Sequence, residues 1–354
     1  MLKILPGKYL LALKDTAGKL KVLPLLFFAL LLTLHASGQQ DAYYSQYKLN
    51  LFLINPAVAG YDGYRTISLI SREQWIGIPG APSTNAFSAQ TRIMRNSYIR
   101  KGAHVKKNQK PGTTKGRVGV GAFVYNDHVG LINRTGFQIT YAYHIPLDKA
   151  QLSFGLSLNA YQFRINSQDI VVSDPSIDAL KDAASRGIFI PDANFGTYYT
   201  TENYYVGFSA SDLAQSSLKI SSGTTVDYKI LRNYYLVGGY HIPLDGNQYI
   251  RRPTGKDGLV LEPNMLLKVS ETGAVQLDAG ARLLFGDLYW AGLSYRTPNI
   301  LIIMGGVRLD KFYVGYAFDA NFSPIMNHTF GSHEISVVYK FGDNARRFRW
   351  INQY

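Results

Sequence analysis

The sequence predicts an all-β chain folded as an antiparallel transmembrane β-barrel of about 14 strands in the bacterial outer membrane. Three observations lead there. Segments of about ten residues alternate apolar with small or polar side chains, as strands do when one face meets lipid and the other a lumen. Gly (33), Tyr (26) and Phe (18) are abundant, yet the mean hydropathy is only -0.07, the cancellation two opposed faces produce. The chain also opens with an export signal. With 46% hydrophobic and 17% charged residues, it lies outside the disordered class.

The export signal occupies residues 1–38. Lys3, Lys8, Lys14, Lys19 and Lys21 form a basic leader, residues 22–34 are apolar, and Ala36, Ser37 and Gly38 supply the small residues of a cleavage site before Gln39. The apolar stretch contains Pro24 and is too short for a spanning helix of about 20 residues. Without residues 1–38, 32 Lys and Arg face 23 Asp and Glu, a net charge of +9. No later stretch is long and apolar enough to cross as a helix, which leaves a soluble protein or a barrel.

Residues 39–63 follow as an N-terminal periplasmic or plug-like segment, and residues 64–342 as the barrel. Strands are expected near 64–75, 84–95, 116–127, 134–145, 150–163, 190–200, 203–212, 232–243, 258–271, 274–286, 287–296, 299–309, 311–320 and 333–342. In the last of these, Ile335, Val337, Tyr339 and Phe341 oppose Glu334, Ser336, Val338 and Lys340. In another, Val275, Leu277, Ala279, Ala281, Leu283 and Phe285 oppose Gln276, Asp278, Gly280 and Arg282. A soluble sandwich would alternate as well, but its strands are about half as long and lack aromatic residues at both ends.

An even strand number brings both ends of the barrel to one side, the periplasm, so the connections alternate outward and inward. Three long basic segments then share the inner side. Residues 95–117 hold Arg100, Lys101, Lys106, Lys107, Lys110 and Lys115 without an acid; residues 243–257 hold Arg251, Arg252 and Lys256; the basic periplasmic tail 343–354 holds Arg346, Arg347 and Arg349. The longest outward connection, 164–189, carries Asp169, Asp174, Asp178 and Asp182, with a short helix at 176–186. Such a basic face reads either as solvated loops in contact with lipid or as a docking surface for a partner.

Chemistry is sparse. Cysteine is absent, which excludes disulfides, thiolate nucleophiles, Cys-held metals and a lipoprotein anchor. Histidines are scattered, and the adjacent pair Asp127-His128 would point to opposite faces of a strand. No phosphate loop, metal motif or cofactor site is present, so no catalysis is expected. Nucleic acid is not an expected partner either, because the positive charge sits in loops without interleaved aromatics. The run Tyr143-His144-Ile145-Pro146-Leu147-Asp148 recurs as Tyr240-His241-Ile242-Pro243-Leu244-Asp245 and reads as a repeated strand exit that leaves both histidines idle.

The N-terminal region carries the most distinctive text: Tyr43-Tyr44-Ser45-Gln46-Tyr47, then residues 54–60 (Ile-Asn-Pro-Ala-Val-Ala-Gly), then Arg72-Glu73-Gln74-Trp75 running to Gly80-Ala81-Pro82. Together with both Tyr-His-Ile-Pro-Leu runs, Glu262-Pro263-Asn264 and Ser332-His333-Glu334-Ile335-Ser336, this resembles the PorP/SprF family of membrane proteins associated with type IX secretion and gliding motility. The resemblance implies a non-enzymatic barrel in outer-membrane lipid that supports export or surface localisation of particular cargo proteins. Its implied partners are the cargo, other type IX secretion components and periplasmic peptidoglycan-associated proteins, and it supplies no catalytic residues. Asn55, Pro56, Gly60, Trp75, Gly80 and Pro82 carry the family text and read as structural turns or as partner contacts. A diffusion pore or solute transporter is the alternative function, since a barrel of this size encloses a lumen unless its own chain fills it.

Overall fold

The computed structural model describes residues 44–93, 118–147, 149–165, 188–215, 217–218, 228–229, 231–244, 258–286 and 288–342. The wall consists of fourteen antiparallel strands: β1 (Arg65–Glu73), β2 (Ser83–Ile93), β3 (Val118–Val129), β4 (Ile132–Pro146), β5 (Ala150–Ile165), β6 (Ile188–Thr201), β7 (Tyr204–Ser211), β8 (Asn233–Tyr240), β9 (Leu259–Ser270), β10 (Val275–Phe285), β11 (Tyr289–Arg296), β12 (Ile300–Leu309), β13 (Phe312–Asn321) and β14 (Ser332–Phe341). Beyond His241, Ile242–Pro243 continues β8 along β9. A short ribbon, Ser217–Leu218 with Tyr228–Lys229, stands apart from the wall. Each strand pairs with its sequence neighbours; β1 against β14 (Arg65 opposite Phe341) and β8 against β9 (Asn233 opposite Ser270) complete the ring.

Local chemistry sets the turns. Gly130, Gly273 and Asp310 adopt positive φ (60°, 86° and 54°), as tight hairpin connections require. Because the strand number is even, β1 begins and β14 ends at one rim, termed proximal; the opposite rim is distal. Ile93, Val118, Pro243, Leu259 and Phe341 are strand ends at the proximal rim. Residues 1–38, the short helix at 176–186 and the basic residues Arg100, Lys101, Lys106, Lys107, Lys110, Lys115, Arg251 and Arg252 lie outside the described residues.

The wall is inverted relative to a soluble protein. On β1, Ile67 and Leu69 face outward and are exposed, whereas Thr66, Ser68, Ile70 and Arg72 face inward and are buried. The same holds on β4, where Phe137, Ile139 and Tyr141 are exposed while Gln138, Thr140 and His144 are buried. Lipid is the solvent that suits the first face. The second face is largely polar and buried, which demands partners inside. Among the described residues no helix is long and apolar enough to cross a membrane.

Candidate functional site

The partners come from the chain itself. Residues 44–64, upstream of β1, run through the lumen as three short 3-10 turns, Tyr47–Leu49, Leu51–Leu53 and Pro56–Val58. Asn55 caps the third by accepting from the Ala57 N–H (2.9 Å), and Pro56 occupies the first helical position, where no N–H donor is needed. Phe52, Ala57, Val58 and Ala59 are essentially inaccessible and form the centre of the main apolar cluster with Tyr198, Tyr205 and Val237 of the wall. This segment is an inner core that the polar wall surrounds.

Its upper end is tied by charge. Near the distal rim the Glu334 carboxylate accepts the Ser45 and Gln46 backbone N–H groups at 2.6 and 2.8 Å, while Ser45 Oγ donates to Asp319 (2.8 Å). Arg72 bridges Asp319 (2.6 Å) and Glu334 (3.3 Å); Arg296 reaches Asp278 (2.9 Å), Asp319 (3.5 Å) and the Tyr44 carbonyl (3.3 Å). Ser294 donates to Asp278. Lower down, Glu262 gathers Lys48 (2.8 Å), Arg282 and the Tyr205 hydroxyl (3.1 Å), with His241 at 3.7 Å. The Lys48 ammonium also lies 3.6 Å over the Tyr205 ring. In these two groups four cations (Lys48, Arg72, Arg282, Arg296) meet four carboxylates (Glu262, Asp278, Asp319, Glu334), the balance a buried interior needs. Burial pulls Lys48 down to about 8, with Glu262 opposing the shift, and burial pushes the Tyr61 hydroxyl up to about 12.

The lower end is held mainly by shape and neutral hydrogen bonds, with charged groups joining only at Tyr61 and Asp62. Asn55 donates to the Thr197 and Phe208 carbonyls (2.9 and 3.2 Å). Wall glycines make room for the segment: a Cβ on Gly121 would come within 2.6 Å of the Phe52 ring, and one on Gly119, Gly155 or Gly196 would collide with Ala59, the Pro56-Ala57 backbone or the Asn55 side chain. His144 is buried between Ser153 Oγ (2.8 Å) and the Ala59 carbonyl (3.0 Å), and Arg92 and Gln151 both donate to the Tyr61 carbonyl. Lys340 pairs with Asp62 at 3.1 Å just before β1. Neither repeated histidine is idle at a strand exit: His144 touches the inner segment itself, and His241 faces the carboxylate that holds Lys48.

The segment thus descends from distal to proximal. Both ends of the wall share the proximal rim, but Tyr44 sits among residues of the distal half, so the shared-side expectation holds for the wall and not for the described chain leading into it. What remains beside the segment includes a cavity of about 80 Å³ lined by Tyr44, Leu53, Ile54, Lys268, Asp278 and Arg296, among others. Among the described residues no group of three or more His, Asp or Glu is placed to hold a metal ion.

The family-text residues separate into two places. Asn55, Pro56 and Gly60 lie in the lumen; Gly60 takes φ 67°, and a Cβ there would sit 2.7 Å from the Thr91 carbonyl oxygen. Trp75, Gly80 and Pro82 lie in the distal β1–β2 connection, where the Pro82 carbonyl accepts from the Gln74 N–H at 2.8 Å. The interior ion pairs escaped sequence reasoning as a set. Their signal is a charge within a strand on the face opposite the lipid register, as at Arg72, Glu262, Asp278, Arg282, Arg296, Asp319 and Glu334.

A family model described as type IX secretion system membrane protein PorP/SprF matches residues 36–339. Among solved structures, the chain is similar to the Acinetobacter baumannii outer membrane protein Omp33 (8% identity over 81% of this chain and 100% of that one, TM-score 0.41). It is also similar to the CymD monoaromatic hydrocarbon channel (13% identity, 87% and 95% covered, TM-score 0.40) and to the KdgM porin (8% identity, 78% and 99%, TM-score 0.34). No curated protein matches the sequence.

Proposed function

The chain belongs to the PorP/SprF family of type IX secretion membrane proteins, and from that premise we propose that this outer-membrane barrel is a non-enzymatic station of the machinery that supports export or surface localisation of particular cargo proteins, including those used in gliding. One observation carries the reading: the lumen is occupied by the chain's own residues 44–64, which are bonded to β1, β2, β4, β5, β6, β9, β13 and β14. A diffusion pore or transporter needs a continuous wet path, and here many interior polar groups bond to the segment that fills the lumen. Catalysis is disfavoured for the same reason, because the interior acids and bases are engaged in holding the segment. In this reading the proximal rim faces the periplasm. Its basic connections, including Lys106, Lys107 and Lys110, dock acidic or peptidoglycan-associated components.

The test has two arms. Purified barrel in a planar bilayer should show no steady conductance; steady solute-selective conductance would favour the transporter. In cells, reversing Lys106, Lys107 and Lys110 to Glu should weaken co-purification of periplasmic components and cargo secretion at unchanged barrel abundance. The wild-type association should weaken with added salt, since solvated charges are screened beyond about 8 Å at physiological ionic strength. Normal secretion from the triple reversal would remove the basic face from the mechanism.

A further inference from the structure

Two distal connections do not behave as ordinary surface loops. Residues 74–82, between β1 and β2, and residues 322–331, between β13 and β14, contain no Asp, Glu, Lys or Arg. They are zipped together: the Ile76 N–H donates to the Gly331 carbonyl (3.0 Å), the Phe330 N–H to the Ile76 carbonyl (2.8 Å), and the Trp75 N–H to Ser332 Oγ (3.2 Å). The next turn joins the assembly through the Gly130 N–H to the Gly80 carbonyl (3.0 Å). Trp75 itself adopts φ 48°, a costly conformation for a bulky residue that surrounding bonds must hold. The product is a firm ledge above β14, β1, β2 and β3.

The ledge displays apolar side chains. Phe330 is 77% exposed, the most of any large apolar residue described, and Phe322, Met326, Ile76 and Leu131 are exposed beside it. Lipid is a poor explanation. Below the ledge the outward-facing positions turn polar, with Ser71 bonded to Asn85 and with Glu73, Thr135 and His333, before the lipid-facing Leu69, Phe87 and Ile335 begin. A polar collar therefore separates the ledge from the hydrocarbon belt. Lipopolysaccharide phosphates would call for Arg or Lys, and the two loops have neither. A second barrel in the same membrane would meet the side wall rather than a ledge that projects past the strand ends.

We propose that this ledge is a docking surface for an uncharged, apolar face of a cargo protein at the cell surface. The proposal rests on the secretion function above and adds where on the barrel the cargo is held. Exposed aromatic anchors on a preorganised frame suit that role, because little order has to be created on binding. It also absorbs the Trp75 to Pro82 text, whose structural part is to shape the ledge.

The experiment compares cells lacking the barrel, wild-type cells and cells carrying Ile76→Asp with Phe330→Asp. Surface proteins lost on deletion define the cargo, and the double variant, at normal abundance of folded barrel, should lose the same proteins from the surface by about tenfold or more. Loss on deletion with retention by the double variant overturns the ledge alone; no loss on deletion overturns the secretion reading and the ledge with it. Because the chain has no native cysteine, Phe330→Cys supplies a single thiol and an independent readout that does not need the charged variant to fold. A membrane-impermeant maleimide on intact cells should label it when the cargo is absent and not when it is present. Equal labelling in both, or none in either, would place Phe330 away from the cargo and overturn the proposal.

Discussion

The two halves of the lumen segment are held by different physics. Residues 44–50 are anchored by carboxylates and guanidinium groups, with Glu334 acting almost as a cap for two backbone N–H groups. Residues 52–60 are anchored by fit, since wall glycines admit the backbone and neutral groups such as Asn55 and His144 complete it. Buried ion pairs contribute little net stability over an apolar filling, but losing one partner is severe. A glycine groove has no partner to lose and fails only when something is added. The charged half therefore sets where the segment sits, and the fitted half sets how closely it packs.

The sharpest break in that comparison is Arg72→Met, which leaves Asp319 and Glu334 facing each other without their bridging cation. A loss of about 3–5 kcal/mol is expected, read as a fall in the urea midpoint of the folded barrel in detergent. A loss below about 1 kcal/mol would shift the anchoring weight to the fitted half. Next is Gly155→Val, whose added atoms meet the Pro56-Ala57 backbone. It should cost about 1–3 kcal/mol and open residues 53–61 to protease while the wall still migrates as a folded barrel. Protection equal to wild type would show that the groove has slack. Asn55→Ala should cost less, about 1–2 kcal/mol, because neutral bonds to Thr197 and Phe208 are lost without stranding a charge.

The smallest effect is a pH dependence. Lys48 binds its proton less tightly in place (about 8) than when free, so seating of the segment should strengthen as pH rises from 8 toward 10, where the displaced state holds the extra proton. Tyr61 runs the other way. Its hydroxyl, pushed up to about 12, stays protonated in place while a displaced Tyr61 ionises, so seating should weaken as pH climbs from 10 to 12. Protease sensitivity of residues 53–61 should therefore pass through a minimum near pH 9 to 10. A monotonic profile would mean that only one of the two groups reports on seating.

Much of the wall was legible because its cause is local. A strand between lipid and lumen must alternate, and the period-two pattern at 334–341 or 275–285 records that residue by residue. The C-terminal strand shows it over its first half: Ile335 is exposed, while Glu334, Ser336 and Val338 are buried. The interruption at His241 was not legible, nor was the use of His144. A histidine two residues before a proline at a strand end looks like a turn until the segment it touches, 85 residues away, is in place.

The chain's own sequence determined the strand number, the lipid-facing register and the family text, since each follows from neighbouring residues and the solvent they meet. Tertiary structure alone decided that residues 44–64 fill the lumen and that they enter it from the distal half. It also decided which interior acid answers which interior base. Those choices join partners as distant as Ser45 and Glu334, 289 positions apart, and nothing in the alternation of either stretch names the other. Closing the ring brings the polar faces of the strands together around one crowded space, and there a charge is tolerated where a counter-charge or hydrogen-bonding partners arrive from another strand or from the segment within.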